Sequence, residues 1–377
     1  MINRVPDAVV REREITTPTA LCLPDGRLDR GAVGWSRHPL HRTNLRGWGR
    51  NKRWEYWGLM TPTHVVGLTV SSLDYVAVHQ VWVLDRQRGT EIDDGAVVLL
   101  GRGTVLPESL GGGAARARAR GLSIDIEGAG TSRTGTSRTG TSRTGTSRAG
   151  TSSDTARGPA TSGPAVDAGT RIRVRTRRVE LDVVAASPPG HEALGVVVPW
   201  DDRRFQYTVK DVARPLTGTM TVDGDSTQVS AGAWGVLDHG RGRWPYSMTW
   251  NWGAGSGRVG GHVVGVQVGG RWTDGTGSTE NALLLDGRLH KNSDALVWQY
   301  DRTDWLAPWR VHDPDRARVD LTFTPFHERV ARTNLLVVAG ETHQCFGTWT
   351  GWMTTDTGER VRVDGVEGWA EEARNRW

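Results

Sequence analysis

The chain has 377 residues, of which 37% are hydrophobic and 49 are glycine, with a formal net charge of +5. That length holds two ordinary domains or one large β domain, and the hydrophobic share is below the average for globular chains. The charge is local: residues 111–178 carry thirteen Arg and four acids, a net of +9 that leaves −4 elsewhere, so nucleic acid is not an expected partner of the folded core.

Cys22 and Cys345 stand far apart without a CxxC partner, and the histidines show no HExxH spacing. Neither a disulfide framework nor a metal site is expected. The first residues lack the apolar core of a signal peptide, and no apolar run approaches membrane-spanning length. The expectation is a soluble cytoplasmic protein without membrane insertion, of no specified oligomeric state. Lysine occurs only at Lys52, Lys210 and Lys291, so arginine is the general-purpose cation.

In chain order, residues 1–50 read as an irregular segment broken by Pro6, Pro18, Pro24, Pro39 and an Asp25-Gly26 turn, lying across a barrel surface or closing one end. Residues 51–212 read as an N-terminal β unit that opens with Lys52-Arg53-Trp54-Glu55-Tyr56-Trp57. His64–Val70 and Tyr75–Leu84 have the composition of a hairpin. Ala115–Arg120, Leu122–Ile126 and Arg171–Arg175 alternate with period two, apolar on one face and mostly Arg on the other. Between them the repeat Thr-Ser-Arg-Thr-Gly fills Thr131–Gly145, followed by a Ser/Pro/Ala/Gly tail. Such a composition has no apolar face to bury, so residues 128–170 are expected to be a disordered loop set into a hairpin.

Residues 213–377 read as a C-terminal β unit, entered by a crossover at Arg214–Gly218. Thr219–Val229 is a hairpin with Asp223-Gly224 at its turn. Further strands are expected at Ser247–Trp252, His262–Val268, Asn281–Leu285, Leu296–Tyr300, Arg318–Thr324, Thr333–Val338, Cys345–Trp352 and Glu359–Val363. Short helices are expected only at 366–376 and 325–332. Many short strands with regular turns predict an all-β protein of sandwich or barrel units.

The densest collection of chemistry-bearing residues is Trp234–Gly253, which holds four of the eighteen Trp. Indoles beside Gly and Arg suit the wall of a cavity for a hydrophobic small molecule. Asp238 is the candidate proton donor, because a carboxyl among indoles is poorly solvated and its protonated form is favoured. His239 would share the proton or orient the acid, although sequential neighbours in a strand face opposite ways. A turn cap or an ion pair with Arg241 or Arg243 is the competing role for Asp238.

Trp234, Arg241, Arg243, Trp244, Tyr246, Trp250, Trp252, His262 and Asn281 complete the ligand-binding candidates. Trp250 and Trp252 share a strand face with Tyr246 and Met248, a stripe that serves core packing as readily as a ligand wall. His262 equally suits an interior hydrogen-bonded role. Asp274, Glu280 and Asn281 are polar candidates for the cavity mouth. Arg271–Asn281 lacks the order of a phosphate loop and Gly253–Gly257 that of a dinucleotide motif, so no cofactor is expected.

Lys52–Trp57, Tyr207–Lys210, Leu237–Tyr246 with Trp250-Asn251-Trp252, Asn281 and Asp286–Lys291 together resemble the bacterial domain of unknown function family 2804. The resemblance covers nearly the whole chain except the Thr-Ser-Arg-Thr-Gly insert, and that family has no settled activity. More distantly, Gly218…Trp234-x-x-x-Asp238-His239-x-x-Gly242 is similar to the pattern of the carotenoid hydratase (hydroxyneurosporene synthase) and AttH-like group. This resemblance implies two lipocalin-like β units packed together. It also implies Asp238 as the donor that protonates a carbon–carbon double bond before water adds, with His239, Tyr246 and Trp250 as neighbours; carotenoid itself is not implied.

Three roles follow. One is acid-initiated hydration, isomerisation or cyclisation of an isoprenoid or acyl substrate. Another is a carrier or sensor with the same cavity and no chemistry. The third is an interaction protein whose Arg-rich hairpin meets acidic partners or anionic headgroups.

Overall fold

The computed structural model describes residues 10–129, 169–335 and 338–376. The expected disordered loop falls outside the described residues apart from its two ends. Among the described residues the only helical segment is the 3-10 turn Arg30–Ala32, and no helix is long and apolar enough to cross a membrane.

The strands form two large antiparallel sheets. The first contains β1 (Lys52–Met60), β2 (His64–Ser72), β3 (Val76–Asp85), β4 (Thr90–Leu99), β5 (Ala115–Ala119), β6 (Leu122–Ala129), β7 (Gly169–Arg175), β8 (Val179–Ala186), β9 (Leu194–Pro199), β10 (Phe205–Val222) and β11 (Trp234–Arg243). Its spatial path is β4-β3-β2-β1-β11-β10-β8-β7-β6-β5, with β9 paired to the first half of β10. The second contains β12 (Ser247–Val259), β13 (His262–Gly270), β14 (Asn281–Leu285), β15 (Arg288–Asn292), β16 (Val319–Leu335), β17 (Val338–Thr354) and β18 (Val366–Arg376). Its path is β15-β14-β13-β12-β18-β17-β16, extended at the edge by Trp309–His312 and Val297–Gln299.

Each sheet curls into a half-barrel around its own apolar interior, as the alternation of side chains dictates. Trp57, Leu68, Ile124, Ile172, Leu181 and Leu237 share the interior of the first. Val264, Val266, Leu321, Phe323 and Trp349 fill the second. The opposite faces of β1, β3, β10 and β11 meet those of β12, β17 and β18 across a third cluster, which includes Trp82, Val236, Trp252, Phe346 and Trp369. The two half-barrels are therefore stacked, with a tryptophan-rich layer between them. The N-terminal segment packs Leu21, Leu28 and Ala32 on Val197, Phe205 and Tyr207, on the other side of β9 and β10.

Several elements differ from the sequence expectation. The crossover expected at Arg214–Gly218 is the interior of one long strand, β10. The register slips between Asp211 and Arg214, and Ala213 takes φ 58°. Pro215, within the expected crossover, follows this bulge, where strands tolerate proline. Trp234–Arg243 consequently belongs to the first sheet, and the change of sheet comes at residues 244–246. Residues 366–376 are a strand laddered on both sides by β12 and β17; their Ala, Glu and Arg favour a helix locally, but two open strand edges outweigh that preference. Residues 325–332 lie inside β16. The Asp223-Gly224 turn is as expected, and both residues of it and of the Asp286-Gly287 turn take positive φ, as a tight hairpin requires.

Candidate functional site

Three strands of the first sheet set one wall in register. Tyr56 of β1, Asp238 of β11 and Lys210 of β10 are direct cross-strand partners, and Trp54, Gly240 and Thr208 form the next row on the same face. Gly240 makes room for the Trp54 indole, since a Cβ there would lie 2.1 Å from the ring. The indole N–H donates to Asp238 Oδ2 at 3.0 Å, and Thr208 Oγ1 donates to Oδ1 at 3.0 Å. Lys210 Nζ is 3.1 Å from Asp238 Oδ2, 3.4 Å from Glu280 Oε2 and 3.9 Å from the centre of the Trp252 ring. Trp272 Nε1 donates to Glu280 Oε1 at 2.5 Å.

The second sheet faces this with a row of its own. Trp252, Glu371, Gln344 and Arg329 are successive cross-strand partners on β12, β18, β17 and β16. Trp250 Nε1 donates to Glu371 Oε1 at 3.1 Å, and Gln344 Nε2 donates to Oε2 at 3.0 Å. The rows also bond across the gap: Arg329 Nη2 donates to Gln80 Oε1 at 2.7 Å, and Gln344 Nε2 to the Tyr56 hydroxyl at 3.1 Å. Trp244 stacks on Trp272 with ring centres 5.2 Å apart and meets Trp250 edge-on at 5.6 Å. These tryptophans, the two polar rows, and small residues such as Ala331 and Thr342 line a cavity of about 300 Å³. It lies between the half-barrels and in the interior of neither.

Burial decides the charges. It pushes Glu371 up to about 7, against the Trp250 hydrogen bond and the nearby Lys210. Glu280 is also raised by burial, with Lys210 and Trp272 opposing. For Lys210 burial disfavours the charge, yet Asp238 and Glu280 hold its ammonium above the ordinary lysine value. The cavity base thus sets three carboxyls against the two cations Lys210 and Arg329, an arrangement in which one carboxyl keeps a proton at least cost.

A family model for a domain of unknown function (DUF2804) matches residues 12–377, which include both walls of the cavity. The chain belongs to the DUF2804 family. This agrees with the resemblance carried by Lys52–Trp57 and Leu237–Trp252. The fold of this DUF2804 chain is similar to that of a protein assigned as AttH from Nitrosomonas europaea, at 12% identity and a TM-score of 0.48, over 86% of this chain and 92% of that one. It is also similar to CghA, at 11% identity and 0.40 over 87% and 88%, and to kievitone hydratase from Nectria haematococca, at 10% and 0.43 over 87% and 89%. These are likenesses of fold alone. No curated protein matches the sequence.

Of the residues singled out in the sequence, the DUF2804 cavity gathers Asp238, Trp244, Trp250 and Trp252, and from the mouth candidates Glu280. The others lie elsewhere. His239 is on the opposite face of β11, with Nδ1 3.5 Å from Glu55 Oε1, and burial pushes it down to about 4. Arg241 shares that face, bonded to Glu55 Oε1 at 3.0 Å and to the carbonyls of Trp54 and Pro107. Arg243 holds the carbonyls of Gly26 and Arg46 and so fastens the N-terminal segment. Trp234 packs between the sheets at the far end of β11. Tyr246 is 62% exposed in the link between sheets.

His262 is exposed at the start of β13, its Nδ1 2.6 Å from Asp286, so the interior role does not hold. Asn281 is buried, but its amide is used by Gly269 N–H and the Asp294 carbonyl. Among the site residues without a role in the sequence reading are Lys210, Arg329, Gln344 and Glu371. Lys210 carried one signal, being a lysine in a chain that elsewhere uses arginine. Glu371 was hidden by the helical composition around it.

Proposed function

We propose that the cavity binds a hydrophobic small molecule and that Glu371 donates a proton to one of its carbon–carbon double bonds, starting hydration, isomerisation or cyclisation. The observation that carries this reading is a carboxyl raised to about 7, opening on a cavity walled by indoles. A general acid works best with a pKa near the operating pH, and a carbocation formed beside Trp250 and Trp252 gains cation–π stabilisation of about 0.5–2 kcal/mol per ring. In the hydration branch the Glu371 proton goes to one olefinic carbon and water bonds to the other. The proton that water releases returns to the Glu371 carboxylate, so the acid is regenerated.

Asp238 takes a different part from the one expected of it. All its partners (Trp54, Thr208 and Lys210) are donors, so in this reading it holds the indole, hydroxyl and ammonium in place. The test is incubation with polyunsaturated isoprenoid and acyl compounds in deuterated water, followed by mass spectrometry. Wild type should place deuterium on carbon, and Glu371→Gln should lose this by at least a hundredfold while ligand affinity stays within about threefold. Equal incorporation by wild type and variant would sink the assignment, and binding without incorporation by either would make the protein a carrier.

A further inference from the structure

Four arginines are buried among the described residues: Arg214, Arg241, Arg318 and Arg329. Three have a carboxylate, since Arg214 pairs with Asp211, Arg241 with Glu55 and Arg318 with Asp294. Arg329 differs. Its bonds go to two amide oxygens, Gln344 Oε1 at 3.1 Å and Gln80 Oε1 at 2.7 Å, and its guanidinium lies 4.8 Å from the centre of the Trp82 ring. Both amides are oriented from behind. Gln80 donates to Asp93 at 2.8 Å, and Gln344 donates to Glu371 at 3.0 Å and to Tyr56 at 3.1 Å. Gly67 leaves space for the guanidinium, since a Cβ there would lie 2.9 Å from Arg329 Nη1.

Burying a cation without a direct counter-ion is costly, and here the chain fixes its position at a cavity wall with neutral dipoles, while Glu371 acts on it only at longer range. Of the other cations on the cavity lining, Lys210 is matched by Asp238 and Glu280 and Arg53 by Asp74. We infer that Arg329 receives the carboxylate of the ligand, so that the molecule held by this cavity is a hydrophobic carboxylic acid. The guanidinium fork matches a carboxylate in shape and charge. A guanidinium with no carboxylate in direct contact suits a singly charged group, whereas a phosphate monoester would bring close to two negative charges into a site already holding three acids. The inference rests on the proposed hydrophobic cavity but not on any turnover.

The experiment is calorimetric titration of the full chain with dodecanoate, dodecanol and dodecyl phosphate. Dodecanoate should bind at least tenfold tighter than dodecanol, the effect of one charge-assisted contact, and tighter than the phosphate. Arg329→Gln should lose this preference while its dodecanol affinity is kept, which also reports an intact cavity; Arg329→Lys should recover part of it. Equal affinity of wild type for acid and alcohol, an undiminished preference in Arg329→Gln, or tighter binding of the phosphate would overturn the carboxylate assignment and leave the apolar cavity standing. If wild type binds none of the three, both inferences fall.

Discussion

At the scale of single residues the decisive contrast is between Asp238 and Glu371, two carboxyls in one cavity with opposite surroundings. Asp238 accepts from an indole, a hydroxyl and an ammonium, whereas Glu371 accepts from the indole of Trp250 and the amide of Gln344, with Lys210, Arg329 and Asp238 acting at longer range. This gives a pH dependence of stability with a definite sign. The folded-state value for Glu371, about 7, lies above the ordinary 4.5, so the folded chain keeps a proton that the unfolded chain releases. Its contribution is therefore fully present below about 4.5 and is lost as pH rises through about 7, a change on the order of 3 kcal/mol. Chemical unfolding from pH 4 to 8 should show the difference between wild type and Glu371→Gln varying by that amount; a constant difference would mean that Glu371 holds no proton. The sequence pointed to Asp238, Trp244, Trp250 and Trp252 because they lie close together in the chain. It could not show Glu371 or Arg329, which reach Trp252 only through the register of β12, β18, β17 and β16, and register is fixed by strand pairing across long separations.

At the scale of elements, alternation was legible wherever one face is buried and the other solvated. The strands β5, β6 and β7 were clear because Ala, Ile and Val alternate with Arg, Asp and Glu. Alternation was obscured in β18, where residues on both faces are buried, Glu371 and Glu372 among them. In the arginine strands charges are paired across the ladder: Arg118 with Asp125 at 2.6 Å, Arg171 with Asp182 at 2.6 Å, and Arg173 with Glu127. Exposed pairs of this kind add little stability, but they offset part of the positive charge of the face, which weakens the reading of these strands as a surface for acidic partners. The same hairpin makes the insert testable. Ala129 and Gly169 stand directly opposite each other, the geometry that a two-residue turn closes. Replacing residues 130–168 with Asn-Gly should leave a cooperative unfolding transition within about 4 °C of wild type, equivalent to at most about 3 kcal/mol for a chain of this size. A broad transition, or insoluble protein, would show that the replaced residues support the sheet.

At the scale of the whole molecule, each half-barrel has its own interior, while the cavity and the tryptophan layer exist only where the two are stacked. The contacts across that layer are specific as well as apolar. Ala213 N–H, at the bulge of β10, donates to Ser256 Oγ at 2.8 Å, and Arg86 reaches Glu367 with two hydrogen bonds of 2.9 and 2.7 Å. A natural cut is therefore residues 244–246, where the chain passes from β11 to β12. Expressed alone, residues 1–243 would present Trp35, Trp82, Trp234 and Val236 to water, and residues 244–377 would present Trp252, Phe346 and Trp369. An apolar face larger than a few hundred Å² drives association, so each fragment should aggregate or require detergent. Co-expression should give a soluble complex that regains dodecanol binding, because both walls of the cavity are then restored. The register supports this outcome, since no strand pairing of either sheet crosses the cut among the described residues. If residues 1–243 alone are soluble, monomeric and bind the alcohol, then the first half-barrel carries the site by itself, and the shared cavity is the wrong description of this fold.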